Sequence, residues 1–167
     1  MKLSYDFYNR DTVEVAQDLL GKRLSVGSYS GIITETEAYR GSDDEASHAF
    51  RGPTKRSAIM FGPAGYAYVY LIYGMYYCLN IVTEELGIPG AVLIRGVLTP
   101  DGNLNGPGKL CRSFGITKEQ NGLNLVQSDD MYVIHELESA PYVATPRIGI
   151  RKASDKLWRF VLSIPKS

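Results

Sequence analysis

The segment "YAYVYLIYGMYYCLNIV", residues 66–82, constrains this chain more than any other. It is almost wholly apolar and aromatic, and Gly74 breaks it near the middle, so it reads as two β-strands meeting near Tyr73–Gly74. Successive side chains of a strand point to opposite faces. Tyr66, Tyr68 and Tyr70 therefore share one face, and Ala67, Val69, Leu71 and Tyr73 share the other. Six of the chain's 12 tyrosines fall between Tyr66 and Tyr77. Every buried tyrosine hydroxyl needs a hydrogen-bond partner, which makes tyrosine a costly filler for an ordinary core. Two readings follow: a stacking surface for planar ligands, or a sheet face packed beneath a loop. Stacking on an aromatic ring stabilises each base by about 1–3 kcal/mol.

The remaining segments supply a sheet and its cover. In "RDTVEVAQDLLGKRL", residues 10–24, Asp11 is placed as an N-cap with Glu14 three residues later and Gly21 as a stop, which predicts a helix. "KRLSVGSY" and "GIITETEAY" read as a strand pair joined near Gly31, and "GAVLIRGVL" as another strand. Residues 40–57 are polar and loop-like. "GPGKLCRSFGI" predicts a short helix, with Pro107 in its first turn and Gly115 at its end. "MYVIHE", "RIGIRK" and "LWRFVLS" read as further short strands. At 167 residues, with 44% hydrophobic and 22% charged content, the chain suits one soluble domain spanning 1–167. The expected fold is α+β, a curved antiparallel-rich β-sheet with a few short flanking helices.

Neither a leader's apolar stretch nor a run long enough for a membrane span is present in the sequence. Cys78 and Cys111 lie in apolar surroundings and read as reduced core thiols of a cytoplasmic protein, nucleoid-associated if the source is bacterial, with a disulfide between them as the alternative. Net charge is zero, so composition alone gives no general attraction to nucleic acid. The stretch from Arg147 to Ser167 is locally basic, through Arg147, Arg151, Lys152, Lys156, Arg159 and Lys166 against Asp155. A basic binding face and a solvated charged surface are both consistent with it.

"ITETEAY" carries chemistry on the same period. Glu35, Glu37 and Tyr39 fall on one face of a strand, in two-residue steps of about 6.8 Å. Two carboxylates so spaced suit an inverting glycoside hydrolase, with room for a water between acid and base. Equally, one activates a water while the other is solvated or salt-bridged. The two histidines differ: His48 in the polar loop is placed to face a ligand, whereas His135, inside an apolar strand, reads as structural. No metal-ligand spacing, Ser–His–Asp signature or phosphate-binding glycine loop is present, so neither metal nor nucleotide cofactor is expected.

Longer motifs add what spacing does not. "ITETEAYRGSDDEASHAFRG", "MFGPAGYAYVYLIYGMYYCLNIV", "AVLIRG" and "GPGKLCRSFGI" follow one another as in the alkyladenine (3-methyladenine) DNA glycosylases, which this chain resembles from "TVEVAQDLLGKRL" to "PRIGIRKASDKLWRF". The resemblance implies a monofunctional repair enzyme, acting as a monomer on double-stranded DNA that contains damaged purines. It would flip an alkylated or deaminated purine out of the duplex and hydrolyse the N-glycosidic bond. By the same resemblance, Glu37 deprotonates the attacking water and Arg95 helps to hold it. Tyr39 stacks on the flipped base, with His48 and Tyr70 closing the other side. Tyr73 is the wedge that fills the gap left in the DNA, and Asn80 disfavours the 2-amino group of guanine. A backbone carbonyl at Ile148 would touch the water. One departure is visible: residues 96–105, "GVLTPDGNLN", replace a longer, partly helical connection usual in the family. Fewer DNA-backbone contacts, and weaker binding at physiological salt, are expected from it. A non-catalytic module that binds damaged or single-stranded nucleic acid on its tyrosine face is the alternative.

Overall fold

The computed structural model describes residues 1–72, 74–137 and 140–163. In chain order it contains α1 (Tyr5–Tyr8), α2 (Thr12–Asp18), β1 (Arg23–Val26), β2 (Tyr29–Tyr39), β3 (Ala67–Ile72), β4 (Tyr76–Val82), β5 (Ala91–Thr99), β6 (Gly102–Asn105), α3 (Pro107–Phe114), β7 (Met131–Ile134), β8 (Tyr142–Thr145) and β9 (Arg159–Leu162). The strands form a single curled antiparallel sheet in the order β3-β4-β5-β2-β1-β7, with β6 continuing from β5 and β9 lying between β2 and β8. The α+β expectation holds. Strand β2 organises the sheet: β5 runs along one side, while β1 flanks its first half and β9 its second.

One face of the sheet carries the main core. Ala67, Val69, Leu79, Ile81, Val92 and Ile94 point into it, together with Val15, Ala16 and Leu19 from α2 and its C-cap. Helix α2 is fixed as its sequence implies, with the Asp11 side chain accepting from the Glu14 N–H. It is pinned to the sheet where the Thr36 hydroxyl donates to the Ala16 carbonyl at 2.8 Å. The opposite face is smaller and aromatic, built on Ala49, Met60, Tyr68, Val82 and Ala91 with Tyr39, Tyr66 and Tyr70 against them.

A shift in strand register decides which side chains reach that second face. Ile33 and Val97 are opposed, and both lie in the main core. The pairing then slips on each strand, through Glu35↔Gly96 to Thr36↔Ile94. Regular alternation from Ile33 would send Glu35, Glu37 and Tyr39 into the core; the slip reverses the parity of both strands. Beyond it Ile94 and Ala38 are core residues, while Glu37, Tyr39 and Arg95 face the aromatic side. Gly96 permits this approach, because a Cβ there would lie 2.7 Å from the Thr34 hydroxyl and 3.2 Å from the Glu35 Cβ.

Several sequence expectations need correction. "RIGIRK" is not a strand: Ile148 and Gly149 form a turn, with Gly149 at φ +74° and the Ile148 N–H committed to a side chain rather than to a sheet neighbour. Strand β8, just before it, was not anticipated from the sequence, nor was α1. Strand β7 ends at Ile134, so His135 lies outside it, exposed and edge-on to Phe7. The short connection at residues 96–105 is the end of β5 folded back as β6, with Thr99 paired to Gly102. Cys78 and Cys111 are both buried and unbridged, and burial raises their thiols to about 11 and about 12.

Candidate active site

A pocket of about 330 Å³ opens on the aromatic face of the sheet. Its lining includes Tyr39 from β2, His48 from the polar loop, Tyr68 and Tyr70 from β3, Asn80 from β4, Arg95 from β5 and Ile148 from the turn after β8. That size is at the lower end of the range for small-molecule sites, about 300–1,000 Å³. Period-two geometry on four neighbouring strands and one parity slip bring these distant positions together.

Glu37 is wholly buried beside this pocket. Its Oε1 accepts the Tyr39 hydroxyl at 2.9 Å and lies 3.5 Å from Nη1 of Arg95, and its Oε2 accepts the Ile148 N–H at 2.7 Å. Burial pushes the carboxyl above the ordinary glutamate range; Arg95, the Ile148 N–H, the Tyr39 hydroxyl and Arg147 offset part of that rise. Glu35 is engaged differently. Its Oε2 accepts from Nε of Arg159 at 2.8 Å and from Nε of Arg95 at 3.1 Å. Of the two carboxylates, Glu35 is salt-bridged to Arg95 and Arg159, whereas Glu37 is held by the Tyr39 hydroxyl and the Ile148 N–H.

The other wall is a ring cluster. His48 and Tyr70 are 4.7 Å apart between centroids and inclined at 65°, and Tyr68 and Tyr70 are 5.1 Å apart. Nδ1 of His48 lies 3.0 Å from the Tyr68 hydroxyl, and the guanidinium of Arg56 sits 4.8 Å from the Tyr70 ring centre. Burial, then the charge of Arg56, lowers the His48 pKa and favours its neutral form. Burial raises the Tyr39 and Tyr70 hydroxyls, so both stay protonated, and Tyr39 donates to Glu37. The Asn80 amide donates to the Tyr68 carbonyl at 3.2 Å.

The pattern describing methylpurine-DNA glycosylases matches residues 6–165 of this chain. The chain belongs to the methylpurine-DNA glycosylase family. A protein of Sodalis glossinidius, provisionally named a 3-methyladenine DNA glycosylase, is 58% identical over 161 residues, covering 95% of each chain. Proteins under the same provisional name from Ehrlichia ruminantium and Rickettsia felis are 51% and 53% identical, covering 96% of this chain and 88% and 93% of theirs.

In this methylpurine-DNA glycosylase family member, six of the sequence-derived residues converge: Tyr39, His48, Tyr70, Asn80, Arg95 and Ile148 line one pocket, and Glu37 bonds to two of them. Tyr73, the expected wedge, lies outside the described residues. Ile148 enters through its N–H, which holds Glu37, whereas the sequence reading places its carbonyl toward water. The basic C-terminal stretch is not one surface. Arg147 is buried against Asp44 and Arg159 turns to Glu35, which leaves Arg151, Lys152 and Lys156 as its more outward members among the described residues. Sequence reasoning missed Arg56 and the Asp44–Arg147 pair. Neither has a local signal, because each acquires its partner only through tertiary contact.

Proposed function

We propose that this protein is a monofunctional DNA glycosylase of base-excision repair. It flips an alkylated or deaminated purine from duplex DNA, holds it between Tyr39 and the His48–Tyr70 pair, and hydrolyses the N-glycosidic bond with a water activated by Glu37. The observation that carries this reading is the buried Glu37 carboxylate, set against Arg95 beside an aromatic-lined pocket. Membership of the methylpurine-DNA glycosylase family supports it.

An extrahelical purine is flat and apolar on both faces, and the pocket meets it with rings. Extrusion costs a few kcal/mol, least for damaged or mispaired bases, which itself biases selection toward lesions. A purine alkylated at N3 or N7 carries a positive charge and gains a further attraction to the ring faces. It also leaves as a neutral base, taking the electron pair of the C1′–N bond, while the water oxygen bonds to C1′ and its proton passes to Glu37. A carboxylate has about four lone-pair sites, so Glu37 can hold Tyr39 and Ile148 and still accept from water. The absence of lysine among the described residues lining the pocket supports water rather than an amine as the nucleophile.

The test is release of free base from duplexes bearing a single N-methylpurine, hypoxanthine or ethenoadenine. The wild-type protein should excise at least one of these, and Glu37→Gln should lower single-turnover excision by about 10²–10⁴-fold, the range for a lost general base. Wild-type protein that binds the duplexes and releases no base would leave the binding-module reading standing instead.

A further inference from the structure

Besides Glu37, two further charges near the pocket are deeply buried, and neither is among the residues that would touch substrate. Arg147 and Asp44 have fully buried side chains, and the pair is bidentate: Nη1 and Nη2 of Arg147 each donate to a separate Asp44 oxygen at 2.7 Å. Nη1 also donates to the Ala38 carbonyl at 2.9 Å. The guanidinium lies between two rings, 4.7 Å from the centre of Tyr39 and 5.2 Å from that of Trp158. Among the described residues its Nε is buried without an acceptor.

As a stability device this is a poor arrangement. Two charges are taken out of water and one donor stays unsatisfied, whereas an apolar pair of similar volume is often as stable or more so. Its connectivity is what distinguishes it. Asp44 also accepts the backbone N–H groups of Arg40 and Ala46 and so shapes the loop that presents His48 four residues later. Arg147 immediately precedes Ile148, whose N–H fixes Glu37. Its guanidinium backs the ring of Tyr39, whose hydroxyl also holds Glu37. One ion pair thus ties together the segments that carry Tyr39, His48 and Ile148.

We infer that Arg147 and Asp44 are positioning residues, which lock the Tyr39 ring, the His48 loop and the Ile148 turn around Glu37 in the geometry used for base excision. The inference rests on the glycosylase reading above. Neither residue touches the substrate. A misplacement of about 1 Å in a reacting group can cost about 10²-fold in rate, so slack in any of these segments falls directly on chemistry.

Two variants test it. Asp44→Leu combined with Arg147→Met replaces the pair by apolar groups, and Arg147→Lys keeps the charge but loses the two-pronged bond. The double variant should melt at or above the wild-type temperature yet excise about 10²-fold more slowly. The groups facing Glu37 are Arg95 from β5, Tyr39 from its own strand, and Ile148 N–H and Arg147 from the turn. Removing Arg147 should therefore move the acid limb of the rate profile to higher pH, while Arg147→Lys slows excision and leaves that limb in place. A folded double variant excising within about threefold of wild type (less than 0.7 kcal/mol of barrier) with an unmoved limb overturns the inference. So does failure of both variants to fold, which would make the pair a folding requirement. Wild-type protein inactive on every lesion would count against the glycosylase reading instead.

Discussion

The N–H of Ile148 donates to Oε2 of Glu37 at 2.7 Å, joining positions 111 residues apart. The bond spans the sheet from its central strand to the turn after β8, and it sets one oxygen of a carboxylate that has no exposed surface. With the Tyr39 hydroxyl on the other oxygen, the group has a single orientation. Two donors and a nearby arginine hold the charge; burial opposes it, and burial is the larger effect.

That balance predicts the pH dependence. Glu37 must be ionised to take a proton from water, and its pKa in the folded protein is raised above the ordinary value of 4.5. Single-turnover excision should therefore fall on acidification through a limb lying above 4.5. The linked stability effect has a definite sign. Because the folded-state pKa is the higher one, ionising Glu37 costs stability, a cost absent below the unfolded value and complete once the pH exceeds the folded one. Glu37→Gln does not titrate, so its melting temperature minus that of wild type should grow between pH 4 and pH 7. A limb at or below 4.5, or a difference that does not change with pH, would remove Glu37 as the titrating base.

Tyr39 should separate stacking from hydrogen bonding. Tyr39→Phe keeps the ring backed by Arg147 but removes the donor to Glu37. Lesion affinity should stay near wild type while the acid limb of excision moves to higher pH, since that donor favours the charged carboxylate. Tyr39→Leu removes the ring and should weaken lesion binding by about 1–3 kcal/mol, the usual loss for one stacked base. Equal affinity losses in the two variants would show that the hydroxyl, not the ring, contacts the base.

Much of this site was legible in the sequence, and the exceptions have physical causes. The alternation of Tyr68 and Tyr70 against Ala67 and Val69 is local, so it survives intact in β3. The Asp11 cap of α2 and the Pro107 start of α3 are local for the same reason. That Glu35, Glu37 and Tyr39 share a face follows from spacing, but which face does not, because the slip opposite Gly96 reverses the choice. "RIGIRK" alternates like a strand and is a turn, since its Ile148 N–H serves Glu37. Arg147 looked like a surface charge until the fold supplied Asp44.

Glu35 should prove a support and not a second acid or base. Its carboxylate is nearly buried between Arg95 and Arg159, with side-chain exposure of 8%. Breaking such a pair typically costs about 3–5 kcal/mol, because a charge is left without its partner. Glu35→Gln should therefore lower the melting temperature clearly. In protein kept well below that temperature, excision should fall far less than in Glu37→Gln, by as much as Arg95 is loosened. Loss of excision equal to that of Glu37→Gln, in folded protein, would restore the paired-carboxylate chemistry.

Selectivity against undamaged guanine is expected to reside at Asn80. Guanine and hypoxanthine differ only in the 2-amino group of guanine. Asn80 is buried, lines the pocket, and is fixed by its bond to the Tyr68 carbonyl at 3.2 Å. A side chain so held cannot swing aside for an extra amino group, and a group forced against it leaves donors unpaired. Asn80→Ser shortens the side chain and opens space at that point. Excision of guanine relative to hypoxanthine should rise by about tenfold, the equivalent of about 1.4 kcal/mol. The bond to Tyr68 also ties β4 to β3, so the substitution should lower stability and slow every substrate somewhat. That common slowing cancels in the guanine-to-hypoxanthine ratio. A ratio equal to wild type, with both rates reduced, would confine Asn80 to holding the two strands together.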